Sequence, residues 1–232
     1  MSSPLQRGRP YPLGAHYDGQ GVNFAVSSAH ASDIEVLIFD STGTRLQQVF
    51  SLPARSADVF HGYLPGAAPG LVYGLRAHGA WEPSAGLRFD PTKLLLDPYA
   101  RELVGHTDEV IGADSYGVAT DGPKARVIAD DYDWGDDRPP RHAVEDLFLY
   151  ELHVRGFSRR QAALPAALRG SYRGLAHPQS IRHLVELGVK AVSLLPVQQH
   201  FDEPRLRERG LVNYWGYNTL GFFCPGSGLA SD

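Results

Sequence analysis

Apolar positions follow two patterns along this chain. In the first part they alternate over short runs, and from Leu147 onward they gather into two near-continuous runs with a helix-period segment between them. Gly21 to Ser27 sets Val22, Phe24 and Val26 on one face, the period of a half-buried strand. Ile34 to Phe39 follows, and Arg45 to Leu52, Val59 to Leu64 and Leu71 to His78 complete five strand runs, with turn chemistry at Asp18-Gly19 and Ser41-Thr42-Gly43. Strands so closely spaced predict an all-β sandwich.

The second pattern predicts a different architecture. Leu147 to Phe157 and Val189 to Val197 read as buried parallel strands, rich in Val, Leu and aromatics with polar residues at one end. A helix is expected from Pro178 to Leu187, opened by proline at a first-turn position and carrying Ile181, Leu184 and Val185 as its apolar stripe, with Gly188 as the stop. That is one βαβ unit. A right-handed crossover brings Arg155 to Ser158 and Pro196 to His200 to the same carboxyl edge, where ligand sites form in parallel α/β folds. The residues from Leu147 to the last are far fewer than the about 250 of a closed eight-stranded α/β barrel. The chain therefore reads as multi-domain, a small β domain followed by the opening of a second.

Between these parts the punctuation is dense. Residues 1–12 carry three prolines and two arginines, too few apolar side chains to pack alone, and read as a leader or clamp. From Ala80 to Leu103, Pro83, Pro91 and Pro98 deny a long helix or central strand. Gly105 to Gly122 reads as an exposed loop and Lys124 to Ala129 as one more strand. Asp130 to Pro140 holds five aspartates; it lacks the closing bidentate glutamate of a regular calcium loop, so a solvated turn is the favoured reading.

Composition narrows the function classes. The 22 basic and 26 acidic residues are interspersed and sum to −4, with no basic stripe that would mark a nucleic-acid partner. The lone Cys224 forms neither an internal disulfide nor a multi-cysteine metal cage, which fits a reducing compartment. No signal-peptide core and no run of about 20 apolar residues is present, so no membrane partner and a cytoplasmic location are expected. Phosphate-loop, zinc-helix and nucleophile-elbow motifs are missing, and the ten histidines show no ligand spacing; no cofactor and no metal site are expected. His153, inside the first parallel strand, and His200, after the second, could face one pocket or serve as hydrogen-bonded core residues. Glu151, costly to bury alone, finds a partner in Arg155 on the same strand face. In Asn213 to Pro225, aromatic side chains beside amides and hydroxyls suit a sugar ring, or else fill a core corner.

Six stretches together resemble a known family: PLGAHYDGQGVNFAVSSAHASDIEVLIFD (Pro12 to Asp40), HGYLPGAAPGLVYGLRAHG (His61 to Gly79), RFDPTKLLLDPYAREL (Arg88 to Leu103), YELHVRGFS (Tyr150 to Ser158), GVKAVSLLPV (Gly188 to Val197) and NYWGYN (Asn213 to Asn218). In this order they are similar to the N-terminal third of bacterial glycogen debranching enzymes, the isoamylase branch of the α-amylase superfamily of glycoside hydrolases. The resemblance implies a leader (1–12), an immunoglobulin-like sandwich of the glycogen-binding type (13–103), connecting loops (104–145) and the incomplete start of a (β/α)8 barrel (146–232). It implies hydrolysis of α-1,6 branch bonds in glycogen with retention, by a nucleophile and an acid about 5–5.5 Å apart. The family draws both from later strands, so no catalytic residue is assigned here and the chain is expected to be inactive alone. Substrate contacts fall to Tyr217, which would stack under the sugar at the cleavage point, with Trp215, Asn218 and His200. The expected partner is glycogen or another α-glucan, with the remainder of the barrel as a possible separate chain. Two further readings are a non-catalytic α-glucan-binding module and a fragment of a trehalose-forming hydrolase or branching enzyme. One departure stands out: after Pro225 the family continues with an acidic residue, Pro and Arg, whereas this chain reads GSGLASD.

Overall fold

The computed structural model describes residues 5–105 and 122–231, so the loop expected from Gly105 to Gly122 falls almost wholly outside the described residues. The chain divides into two units, Met1–Asp131 with Gly221–Cys224, and Tyr132–Leu220 with Pro225–Asp232.

The first unit is a sandwich of two antiparallel sheets. One has the order β1 (Gly14–Tyr17), β2 (Gly21–Ser27), β6 (Val59–Pro65), β5 (Ala54–Ser56), and the other β10 (Leu103–Val104), β11 (Lys124–Arg126), β7 (Val72–His78), β3 (Asp33–Phe39), β4 (Leu46–Ser51). All five strand runs read from the alternation are present, and β11 occupies the first half of the Lys124 to Ala129 run. Val22 and Phe24 project from one sheet, and Ile34, Val36, Ile38, Tyr73 and Leu75 from the other, into a shared core. Phe24 and Tyr73 meet edge-to-face at 5.2 Å. The opposite face of β3 is apolar too, because Leu37 and Phe39 join Val72 in a second cluster covered by Leu94. This double burial explains why β3 reads DIEVLIF rather than alternating.

The proline-rich stretch after β7 packs onto the sandwich. β8 (Trp81–Glu82) and β9 (Leu87–Arg88) pair as a small ribbon, and Leu95 exchanges both backbone hydrogen bonds with Leu75 at 2.8 Å. Asp97 then enters the interior, where its carboxylate accepts from the Tyr73 hydroxyl at 2.7 Å and the Tyr99 amide at 2.8 Å. Burial raises the Asp97 pKa, although both hydrogen bonds act against the rise. It raises Tyr73 further, to well above the ordinary value, with the neighbouring carboxylate adding to the effect. Cys224 is buried in the same core and donates its thiol to the Ala100 carbonyl at 2.8 Å; burial lifts its pKa to about 11, away from thiolate chemistry. At the N-terminus, Gln6 pairs with Tyr63 and the Asn23 side chain grips the Arg9 backbone at 2.7 and 3.0 Å.

In the second unit β12 (Leu149–Leu152) and β13 (Ala191–Leu194) lie parallel, in register Leu149↔Ala191 to Leu152↔Leu194. The connection holds α1 (Val154–Ser158), α2 (Tyr172–Leu175) and α3 (Pro178–Glu186). β14 (Gln198–His200), α4 (Pro204–Arg207) and β15 (Thr219–Pro225) follow, the middle residues of β15 grouping with the first unit. Two expectations are corrected. The first parallel strand ends at Leu152, because His153 caps a helix that takes up Val154 to Ser158. The expected stripe of α3 is only partly covered: Leu184 is 8% exposed, but Ile181 is half-exposed and Val185 66% exposed. Among the described residues no helix is long and apolar enough to cross a membrane.

Candidate functional site

The geometry of the second unit converges on the loop Asn213–Asn218. His153, directly after β12, uses both ring nitrogens. Nδ1 accepts from the Gly156 amide at 3.1 Å, which makes Nε2 the protonated nitrogen that donates to the Tyr214 carbonyl at 2.7 Å. Its ring stacks on Tyr214 with centroids 4.2 Å apart and 10° between planes, and Trp215 stands edge-on to both rings. Gly156 makes the approach possible, since a Cβ there would lie 2.7 Å from the Tyr214 hydroxyl.

The other side of the loop is held from β14. His200 Nε2 lies 3.1 Å from the Asn213 carbonyl. Asn213 is itself pinned: its amide donates to Asp202 at 2.5 Å, its side-chain carbonyl accepts from the Gly216 amide at 2.9 Å, and its side-chain nitrogen reaches Glu203 at 3.4 Å. Gly216 turns the chain with φ +76°, in a space where a Cβ would lie 3.3 Å from His200 and from Pro196. Further on, Tyr172 of α2 sends its hydroxyl toward the Val197 and Gly226 carbonyls at 2.9 and 3.2 Å.

Two histidines and two acids thus clamp a loop whose outer side chains stay in solvent. Trp215 is 55% exposed and Tyr217 71% exposed. Asn218 is half-buried, its carbonyl accepting from the Phe201 amide at 3.2 Å. Of the residues expected to touch substrate, His200 lies against the loop's base and Trp215, Tyr217 and Asn218 lie on the loop. His153 joins them through Tyr214, as a helix cap rather than a strand residue. The expected Glu151–Arg155 pair does not form: Glu151 is exposed and Arg155, carried into α1, donates to the Gly228 carbonyl at 2.6 Å. Asp202 and Glu203 went unassigned in the sequence, because nothing in their spacing foretold that they would hold Asn213.

The sandwich contributes the group of metal-ligating type found among the described residues, Asp33, Glu35 and His78. A cation is poorly served there, because the same Glu35 oxygen already accepts from Arg76 at 2.6 Å and His78 at 2.9 Å. Burial raises the Glu35 pKa, but those two partners outweigh it and the net shift is downward.

Comparison with known proteins names the first unit. Residues 12–100 match Carbohydrate-binding module 48 (Isoamylase N-terminal domain). The match covers β1 to β9 of the sandwich unit, and solved structures resemble the chain well beyond it. The pullulanase of Paenibacillus barengoltzii, in complex with maltohexaose and alpha-cyclodextrin, is 20% identical with a TM-score of 0.71 over 98% of this chain and 34% of its own. The catalytic module of the multi-modular glycogen-degrading pneumococcal virulence factor SpuA is 21% identical, TM-score 0.69, over 98% of this chain and 34% of its own. The pullulanase of Bacillus acidopullulyticus is 21% identical, TM-score 0.68, over 94% and 25%. The chain therefore spans a quarter to a third of the solved structures it matches, and at such identity the likeness is one of fold. The module match agrees with the isoamylase-type sandwich that the motifs resemble, over residues 12–100, and the solved structures share the fold of the whole chain.

Proposed function

We propose that this chain is the α-glucan-binding N-terminal part of a glycogen debranching enzyme that hydrolyses α-1,6 branch bonds in glycogen catabolism. The observation that carries the reading is the module 48 match over residues 12–100, followed in the same chain by a clamped loop with exposed Trp215 and Tyr217. Flat aromatic faces receive the C–H face of a sugar ring while amides bond its hydroxyls. On this reading Tyr217 stacks under the glucosyl unit at the branch point, Trp215 and Asn218 flank it, and His200 holds the loop that presents them.

The second unit is read as the opening of a (β/α)8 barrel completed by residues outside this sequence. Leu149 of β12 is 60% exposed, Val192 and Leu194 of β13 are partly exposed, and α3 shows Val185 to solvent, apolar surface that further strands and helices would cover. Of the acids beside the loop, Asp202 accepts from the Asn213 amide and one oxygen of Glu203 from the Asn213 side chain. The paired carboxylates of a retaining hydrolase are assigned to later strands, and a cytoplasmic location belongs to the same proposal.

The test is the mass and activity of the protein from its native source. A mass several-fold above the 25.4 kDa of this chain, with reducing ends released from glycogen, and no release by the 232-residue chain alone, is expected. Hydrolysis by this chain that is lost on replacing one of its own acids would overturn the proposal.

A further inference from the structure

The turn between β2 and β3 and the stretch from Gly86 to Leu95 form a cleft of about 300 Å³ in the sandwich unit, at the lower end of the ~300–1,000 Å³ typical of small-molecule sites. His30, Arg88, Phe89, Asp90, Lys93 and Leu95 line it, all within the first unit. Local hydrogen bonds fix both segments. The Ser28 hydroxyl accepts from the Ala31 amide at 3.2 Å and Arg55 donates to the Ala29 carbonyl at 3.0 Å, which sets the turn that carries His30. In the second segment the Phe89 amide donates to the Ala80 carbonyl at 3.3 Å and the Lys93 amide to the Asp90 carbonyl at 3.1 Å. Phe89 packs against the sandwich core, so close to Gly79 that a Cβ there would meet its ring at 2.6 Å. With the partly exposed Leu95 it gives the cleft an apolar side.

The charges of the cleft favour an anion. Arg88 and Lys93 supply two cations and His30 an imidazole, against the single carboxylate of Asp90. Asp90 is ionised and engaged: its Oδ1 accepts from the Thr92 hydroxyl at 2.6 Å and the Thr92 amide at 3.0 Å, bonds that hold its pKa below the usual carboxylate value, and the Lys93 charge acts in the same direction. Lys93 is thus offset in part. Arg88 is not, since among the described residues no carboxylate pairs with its guanidinium. A carboxylate ligand would bring one negative charge, whereas a phosphate monoester brings about −1.5 to −2 and three acceptor oxygens. That is enough to occupy the planar Arg88 fork and the Lys93 ammonium together and to outweigh Asp90. We infer that this cleft is a site for a small organic phosphate, a monoester whose phosphate is held by Arg88 and Lys93 and whose organic part lies against Phe89 and Leu95. The site stands apart from the loop Asn213–Asn218 and does not depend on the α-glucan reading.

Calorimetric titration of the 232-residue chain with glucose 1-phosphate at low ionic strength tests it, with inorganic phosphate and glucose as comparison ligands. Glucose 1-phosphate is expected to bind about tenfold or more tighter than either, and Arg88→Ala and Lys93→Ala each to weaken it by a similar factor. Asp90→Asn keeps an acceptor for Thr92 and removes the opposing charge, so it should tighten binding. Arg182→Ala, at an exposed cation of the other unit, should leave it unchanged. Melting curves establish that each variant is folded, and Arg88→Glu, at an exposed position, should abolish binding without lowering the melting temperature. No binding of glucose 1-phosphate by the folded chain, binding that neither Arg88→Ala nor Lys93→Ala alters, or equal affinity for inorganic phosphate or for glucose overturns the proposal. Each of these results leaves the α-glucan reading of the loop standing.

Discussion

Replacing Tyr73 with Phe isolates one hydrogen bond in the sandwich core. The ring keeps its edge-to-face contact with Phe24 at 5.2 Å, so no cavity opens, and only the hydroxyl that donates to Asp97 at 2.7 Å is lost. Both groups are buried to within 2% of complete, so water does not replace the bond. A hydrogen bond to a charged partner contributes about 1.5–3 kcal/mol, and that is the expected cost at neutral pH. The cost depends on pH with a definite sign. Because burial raises Asp97, it holds its proton more tightly folded than unfolded; its contribution favours the fold below the ordinary value of 3.8 and is lost as pH rises through the folded pKa. Near pH 3 the carboxyl is protonated and the same substitution costs nearer to 1 kcal/mol, the value of a neutral pair. Amide hydrogen exchange along β7 reads the stability of this unit directly, and a double-mutant cycle with Asp97→Ala gives the coupling. A coupling below about 0.5 kcal/mol at neutral pH would show that the pair does not act as described.

Three further outcomes follow from named contacts. The sandwich should lose stability as pH falls below about the ordinary Glu value of 4.5, because Arg76 and His78 hold Glu35 below it; Glu35→Gln should remove that part of the acid sensitivity, and an unchanged pH profile would refute the assignment. Gly156→Ala should displace Tyr214, whose hydroxyl lies 2.7 Å from the new Cβ, and raise exchange at the Gly216 amide while leaving β2 and β3 protected. Limited proteolysis should cut the Tyr132–Leu220 unit, with its exposed Leu149 and Val185, before residues 13–103; equal resistance in both would contradict this.

Much of the sandwich was legible because its strands obey simple periods. Val22, Phe24 and Val26 announce their face, and turn residues mark the gaps. Short edge strands such as Ala54–Ser56 gave no such signal, being too brief to show a period. The strand-to-helix switch at His153 was hidden, because VRGFS is apolar enough to extend a strand and only the side-chain cap from His153 to Gly156 decides for a helix. Of the expected α3 stripe only Leu184 is buried, with Ser180 beside it, because periodicity states which face is apolar and not which face is covered. At the loop, the aromatics were visible in NYWGYN and the two histidines were singled out by their place at the strand ends, whereas the part played by Asp202 and Glu203 was not visible. The four clamping residues come from two segments, residue 153 and residues 200–203, and only the fold brings both to Asn213 and Tyr214. Asp97 was equally silent: an acid in a proline-bounded stretch gives no sign that it will be buried against Tyr73.

The central claim is that this chain binds α-glucan, and electrophoresis of the purified 232-residue protein through native gels containing glycogen addresses it most directly. Retardation that grows with glycogen concentration and is reduced by Tyr217→Ala is the expected result. Mobility identical to that in a glycogen-free gel would contradict it.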